Sequence, residues 1–305
     1  MIDTREIIHL DSGNANGEGV HTAKKRRVFI DLTTFEEPQD SDIELLSERS
    51  LLRDLSGGRE MKPVRVRGEL RILGNFEYIT NNTFSARIPQ LQSLSSRPCK
   101  GCTCQGNCGE NKSCECRKRY VETDGRFPFS RQHRLGNVNE VNKIYLCHEG
   151  CSCNATCMNR VESKVRYEVE VFNTKYKGWA CRSLQNIDQG EFVMEYVGEV
   201  VEDDDKKARE FTYLFSVGES VNIDPVNKGN VARFMNHSCT PNLHGVRSVL
   251  PNIAEKTYHR VMFFANQKII QGQELNISYG YEKARVPGIC LPCRCYSPGC
   301  KQILI

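Results

Sequence analysis

The placement of cysteine constrains this chain more than any other feature. Of its 16 cysteines, ten fall between Cys99 and Cys157 and four between Cys290 and Cys300, leaving Cys181 and Cys239 apart. The first group runs Cys102-x-Cys104-x3-Cys108-x5-Cys114-x-Cys116, breaks for thirty residues, and resumes as Cys147-x3-Cys151-x-Cys153-x3-Cys157. These nine thiols are an odd number, so a closed set of disulfides leaves one over. The segment Met1 to Leu10 carries Asp3, Arg5, Glu6 and His9. It lacks the apolar stretch of a signal peptide, which argues against secretion. In a reducing compartment clustered cysteines bind metal more often than they pair. Three tetrahedral zincs need about twelve ligand positions. Nine thiols supply them if six bind singly and three bridge. Two four-cysteine sites with a spare thiol fit as well, and spacing alone does not choose.

Length and patterning set the frame around the cysteines. A chain of 305 residues suggests two domains of roughly 150 residues each. Hydrophobic residues make up 39% and charged residues 26%. No apolar run approaches the ~18 residues of a membrane helix, so no membrane is expected. A net charge of +4 is too small to argue for nucleic-acid binding, which is not indicated otherwise. Residues 1–60 are polar and read as disordered or weakly structured, with one short helix over 43–52. The run Lys24-Lys25-Arg26-Arg27 is either a nuclear import signal or a solvated charge run. Residues 61–98 hold a strand at Val64 to Arg67 and an anchor at Phe76, Tyr78 and Ile79. Arg117 to Leu146 reads as an excursion loop. From 165 to 281 short strands alternate with turns: Val165 to Phe172, Phe192 to Val201 as strand, turn, strand, Val261 to Ala265 as a buried strand, and Leu275 to Tyr279. A helix is expected over Asp203 to Phe211, with acidic residues at its start. The fold class is therefore mostly β with short helices.

At this point the chain resembles a known family. The nine-cysteine pattern ending in Cys157-Met158-Asn159-Arg160 resembles the pre-SET module of histone lysine methyltransferases. The blocks that follow match the SET domain in order: KGWA from Lys177, EYVGE from Glu195, TYLF from Thr212, GNVARFMNHSC from Gly229, FFA from Phe263 and ELNISYGY from Glu274. Cys293-x-Cys295-x4-Cys300 resembles the post-SET module. The order is that of the Suv39-like group, which methylates lysine-9 of the histone H3 tail in repressive chromatin. The resemblance implies small curved sheets with a C-terminal pseudoknot that brings NHSC beside the tyrosine strand. It divides the chain into an N-terminal region (1–60), a segment packing on the catalytic domain (61–98), a pre-SET zinc module (99–160), a SET domain (161–284) and a post-SET zinc module (285–305).

The resemblance also assigns roles. The cofactor is S-adenosylmethionine, with Lys177, Gly178, Trp179, Tyr213, Arg233, Asn236 and His237 around it, Lys177 meeting its carboxylate. Tyr213 and Arg233 read equally as structural residues. Tyr279 is the catalytic residue, at the meeting point of methyl donor and lysine amine. Ile277 and Tyr281 line the lysine channel. Nine cysteines hold three zincs, and Cys239, Cys293, Cys295 and Cys300 hold a fourth. Cys99 and Cys290, each three residues before an assigned ligand, are the competing thiols, and Cys181 is a buried one. The partners are the histone H3 tail and other chromatin proteins, in the nucleus. The acidic run Glu202 to Asp205 is a solvated helix start or a contact for a basic tail. Three positions depart from the pattern: Ala180 replaces a glycine, Ser278 an aspartate, and Ile277 a phenylalanine or tyrosine. Lacking a hydroxyl and bulk, Ile277 points to di- or trimethylation. The rival readings are a catalytically weak chromatin-binding protein, a methyltransferase of a non-histone lysine, and a zinc-rich nucleic-acid module, for which Arg117-Lys118-Arg119 is the one fitting run.

Overall fold

The structure, a computed structural model, describes residues 53–68, 76–97, 99–124, 126–202, 213–254, 257–280 and 292–302. The expected helices over 43–52 and 203–211, the basic run at 24–27, and Tyr281 and Cys290 lie outside these residues. Two α-helices and fourteen short strands are present among them.

Three small sheets make up most of the described strands. In the first, β1 (Val64–Val66) runs parallel to β5 (Val169–Thr174), which pairs antiparallel with β6 (Gly178–Ser183). The β5–β6 turn is closed by the Thr174 hydroxyl, which accepts from the Lys177 N–H at 2.9 Å and donates to the Gly178 carbonyl at 2.8 Å. Gly178 sits there at φ +68°, where a side chain would be strained. The second sheet has the order β2 (Glu77–Tyr78), β10 (Val221–Gly229), β8 (Gly198–Glu202), β3 (Thr83–Phe84), with β9 (Phe215–Ser216) also on β10. Here Gly198 lets two strands approach, because a Cβ would stand 2.8 Å from the Asp224 backbone.

The third sheet has the order β4 (Lys143–Ile144), β12 (Leu243–Ser248), β13 (Arg260–Ala265), β7 (Phe192–Tyr196). Successive strand residues face opposite sides, and β13 uses both. Val261, Phe263 and Ala265 enter the main core with Val193, Ile223, Ile269 and Leu275. Met262 and Phe264 enter a second core with Tyr120, Phe129, Leu135, Ile144 and Met158. The second core is the seam by which the nine-cysteine module is fixed to the third sheet. It also corrects the reading of Arg117 to Leu146 as an excursion loop. Helix α2 (Glu115–Asp124) follows helix α1 (Pro89–Ser95) in the chain and opens this stretch. A bridge joins Phe129 to Leu135, and a 3-10 turn spans Val138–Glu140. Its few apolar residues are spaced irregularly, so they give no periodic signal, yet Tyr120, Phe129, Leu135, Val138 and Ile144 are all buried.

A fourth, two-stranded sheet makes the site. β11 (Asn236–His237) lies parallel to β14 (Asn276–Ile277), joining segments about forty residues apart.

Candidate active site

Two asparagines clamp the β11 and β14 segments together. The Asn242 N–H donates to Asn276 Oδ1 and the Asn276 N–H donates to Asn242 Oδ1, each at 3.0 Å, while Asn242 Nδ2 donates to the Glu274 carbonyl at 2.8 Å. The Ser238 N–H adds a bond to the Ile277 carbonyl at 2.9 Å. Each bond satisfies a polar group that burial would otherwise leave costly. Tyr279 emerges from this clamp. Its hydroxyl donates to the Met235 carbonyl at 3.1 Å, and its N–H donates to His237 Nδ1 at 3.2 Å. Its ring centroid is 5.4 Å from that of His237. Ile277 beside it is buried at 3% exposure.

A polar chain leads from β11 to β6. Asn236 Nδ2 donates to the Trp179 carbonyl at 3.1 Å and approaches Glu274 Oε1 at 3.4 Å. The Lys177 ammonium grips both oxygens of Glu274, at 2.7 and 2.6 Å. Lys177, Gly178, Trp179, Asn236, His237, Ile277 and Tyr279 are thus gathered across three strands. The Trp179 side chain itself is buried, so its backbone carbonyl is what reaches Asn236. Sequence reasoning missed Glu274, Asn242 and Asn276. Glu274 stood inside the ELNISYGY block with no role given, and the asparagines are short polar residues without periodicity.

Arg233 and Tyr213 sit in an aromatic box. The Arg233 guanidinium lies 4.5 Å from the Phe76 ring, 5.0 Å from Tyr213 and 5.1 Å from Phe234. Burial pushes the arginine down in pKa and the tyrosine phenol up. The Tyr213 carbonyl accepts from the Tyr196 hydroxyl at 2.5 Å. With Arg233 Nε buried and unpaired, the ring faces supply the compensating attraction.

The thiols gather into close groups. Four donor sets have all their sulfurs within 4.8 Å of one another: Cys102, Cys104, Cys108 and Cys114; Cys102, Cys108, Cys147 and Cys153; Cys102, Cys116, Cys147 and Cys151; and Cys239, Cys293, Cys295 and Cys300. Sulfurs at the corners of a tetrahedron around zinc stand about 3.8 Å apart, given a Zn–S bond of about 2.3 Å. The separations are 3.5 Å for Cys102–Cys108, 3.5 Å for Cys108–Cys147, 3.8 Å for Cys116–Cys151 and 3.7 Å for Cys239–Cys293. Cys108 and Cys147 each recur in two of these sets and Cys102 in three, so the sulfurs form one shared cluster rather than separate sites. Cys157 borders the cluster, accepting from the Cys108 N–H at 3.3 Å. All the described cysteines are free thiols, so the donor chemistry fits zinc. Of the competing thiols, Cys99 falls in none of the sets and lies 3.6 Å from His148 Nδ1. Cys181 is fully buried, and burial, with the Glu274 charge second, pushes its thiol up.

A chain with a cysteine cluster packed on small sheets, and a tyrosine clamped beside an Asn-His pair, has the architecture of a protein-lysine methyltransferase domain. The comparisons agree. Residues 178–280 match the SET domain family and residues 56–160 match the Pre-SET motif. The chain belongs to the SET-domain family, in the Suv39 group of histone-lysine methyltransferases. It is 32% identical over 268 residues to the human histone-lysine N-methyltransferase EHMT1, covering 84% of this chain and 20% of that protein. It is 36% identical over 194 residues to the H3 lysine-9 specific SUVH5 of Arabidopsis thaliana, covering 61% of this chain and 23% of that protein. Among solved structures, KRYPTONITE in complex with mCHH DNA, H3(1-15) peptide and SAH superposes with a TM-score of 0.69 at 30% identity, over 84% of this chain and 54% of that one. The chain therefore spans about a fifth of the length of these curated relatives.

Proposed function

We propose that this chain transfers methyl groups to a lysine of the histone H3 tail, lysine-9 by likeness to the H3 lysine-9 specific relative, and acts in repressive chromatin in the nucleus. S-adenosylmethionine, when bound, supplies an activated sulfonium methyl. The observation that carries the reading is the bond from the Tyr279 hydroxyl to the Met235 carbonyl. It commits the phenolic proton to the protein, so the oxygen meets a lysine amine as an acceptor. An acceptor there takes an amine N–H and turns the nitrogen lone pair to the methyl donor. The amine attacks only when neutral, against a free pKa of about 10.4. The buried Ile277 and the low-polarity wall beside it favour that form by desolvating the charge. Asn236, Lys177, Glu274 and the Trp179 carbonyl hold the amino-acid end of the cofactor, and Gly178 permits its close approach. Tyr213 and Arg233 pack together with Phe76 and Phe234.

The nine-cysteine module, Cys102, Cys104, Cys108, Cys114, Cys116, Cys147, Cys151, Cys153 and Cys157, would hold three zincs, and Cys239, Cys293, Cys295 and Cys300 would hold a fourth; the metal would supply structure rather than chemistry there. Without a hydroxyl at Ile277 the channel admits a methylated amine, so the product is di- or trimethyl-lysine.

Radiolabelled methyl transfer to H3 peptides, with mass analysis of the product, tests the reading. Tyr279→Phe should reduce turnover at least ~100-fold, the usual scale for a lost transition-state contact, while S-adenosylhomocysteine still binds. Transfer to no H3 peptide, or equal turnover by Tyr279→Phe, would reject it. A product that stops at monomethyl-lysine would reject the role of Ile277.

A further inference from the structure

Tyr296 has two features that neither burial nor backbone preference accounts for. It is 71% exposed, and it stands at φ +53°, a left-handed conformation that is costly for a bulky residue. What it does have is a ring contact. Its centroid lies 6.2 Å from that of Tyr176, at an interplanar angle of 58°, within the range of an attractive aromatic pair. Tyr176 is itself 47% exposed, and the Lys175 ammonium lies 5.3 Å from the same ring. Tyr176 sits in the turn between β5 and β6, next to Lys177. The Thr174 hydroxyl closes that turn by its bonds to the Lys177 N–H and the Gly178 carbonyl, so Tyr176 and Lys177 are held as one piece. Tyr296 sits in the C-terminal segment. That segment is folded on itself by bonds from the Cys293 N–H to the Gln302 carbonyl at 2.8 Å and from the Cys300 N–H to the Ser297 carbonyl at 2.9 Å. It also meets the chain just after β11, where a Cβ on Gly299 would stand 3.3 Å from Thr240 Cγ2. The segment thus reaches from the end of β11 to the β5–β6 turn, the same two places that Asn236, Glu274 and Lys177 join.

From this geometry we propose that Tyr296 is a positioning residue for cofactor binding, which acts through the ring of Tyr176 on the turn that carries Lys177. The inference rests on the proposed cofactor role of Lys177, and it deepens that reading. Strained backbone persists only where its surroundings impose it, and such outliers gather at ligand clamps. Here the surroundings are the ring of Tyr176 on one side and the self-bonded tail on the other. A turn held by Thr174 alone can rock on its two strands, and Lys177 rocks with it. A ring stacked on Tyr176 stops that motion before any ligand arrives, so binding has less to order. Tyr296 touches neither Lys177 nor the site it serves. Its contribution is therefore to how firmly the cofactor is held, and the transfer step itself does not draw on it.

The test is calorimetry of S-adenosylhomocysteine binding to the zinc-loaded full chain, with Tyr296→Gly, Tyr176→Ser, the double variant and Tyr296→Phe. Glycine removes the ring and is at ease in the left-handed conformation, so Tyr296→Gly should unfold in urea no more readily than the parent. Its affinity should nonetheless fall about 2- to 12-fold, the scale of one aromatic pair. Tyr176→Ser should lose a similar factor, and the double variant little more than either, since both remove one contact. Tyr296→Phe keeps the ring and should retain most of the affinity. In steady-state assays the loss should appear in KM for the methyl donor rather than in kcat. With fluorotyrosine incorporated, Tyr296→Gly should also shift the Tyr176 fluorine resonance in the absence of any ligand. Undiminished binding by both single variants, losses that add in the double variant, or an unmoved Tyr176 resonance would each overturn the inference. Should Tyr296→Gly fail to load the tail, Tyr176→Ser decides, because it lies outside the tail. A parent chain that binds no S-adenosylhomocysteine would reject the cofactor reading and this inference together. Tight binding by the parent and all variants alike would reject the inference alone.

Discussion

Glu274 bears more of the site than its sequence context announced. A carboxylate that holds Lys177 through both oxygens and touches Asn236 fixes two proposed cofactor contacts at once. The pair is only partly exposed, at 19% and 23% for the two side chains, so solvent screens it incompletely. The proposed ligand carries an ammonium and a carboxylate at its amino-acid end. Glu274 suits the ammonium and Lys177 the carboxylate. Glu274→Gln keeps the shape and removes the charge. Losing a hydrogen bond to a charged group costs about 1.5–3 kcal/mol, so S-adenosylhomocysteine should bind at least ~10-fold more weakly. Isothermal calorimetry reads this directly. Unchanged or tighter binding would mean that Glu274 merely occupies Lys177. No pattern in the sequence points to this role, because a glutamate before a strand is more often solvated. The partner Lys177 lies 97 positions away, and only the fold brings the two together.

At the scale of elements, β7 and β13 are held by more than their ladder. Glu195 on β7 and Arg260 at the start of β13 form an ion pair through Nε at 2.8 Å, and the glutamate side chain is 2% exposed. Burial opposes the arginine charge, yet the Glu195 carboxylate beside it outweighs burial and raises its pKa. Removing one partner strands the other charge in the core. Arg260→Met should therefore destabilise the fold by roughly 3–5 kcal/mol, and Glu195→Gln by a smaller amount because the amide still accepts. Urea unfolding of the zinc-loaded protein measures both, and a loss below ~1 kcal/mol for Arg260→Met would contradict the assignment. The elements differ in how openly the sequence declares them. Phe192 to Val201 and Val261 to Ala265 are dense in β-branched and aromatic residues and read as strands at once. Helix α2 does not declare itself, since its described apolar surface reduces to little more than Tyr120. Its burial depends on Phe129, Phe264 and Met158 arriving from elsewhere, and local composition carries no trace of that.

At the scale of the whole molecule the two kinds of thiol site differ in access. The nine clustered cysteines are buried, none above 9% exposed, whereas the tail four are partly exposed. A chelator should therefore empty the tail first. Zinc release followed by a colorimetric indicator should show an early phase of about one equivalent, with methyl transfer lost in step while circular dichroism is unchanged. A later phase should coincide with unfolding, since metal in a structural cluster contributes folding energy. Release in one phase together with unfolding would refute the ordering, and full activity in metal-free protein would refute the requirement for zinc. The two faces of β13 carry a consequence for biosynthesis. Met158 and Tyr120 leave the ribosome long before their partners Met262 and Phe264. At about 5–20 residues per second the wait is on the order of 5–30 s. During that interval the cysteine module presents an unpaired apolar seam, so a nascent chain of this kind is a natural client for chaperones, and a fragment cut between the two halves inherits the same stickiness for good.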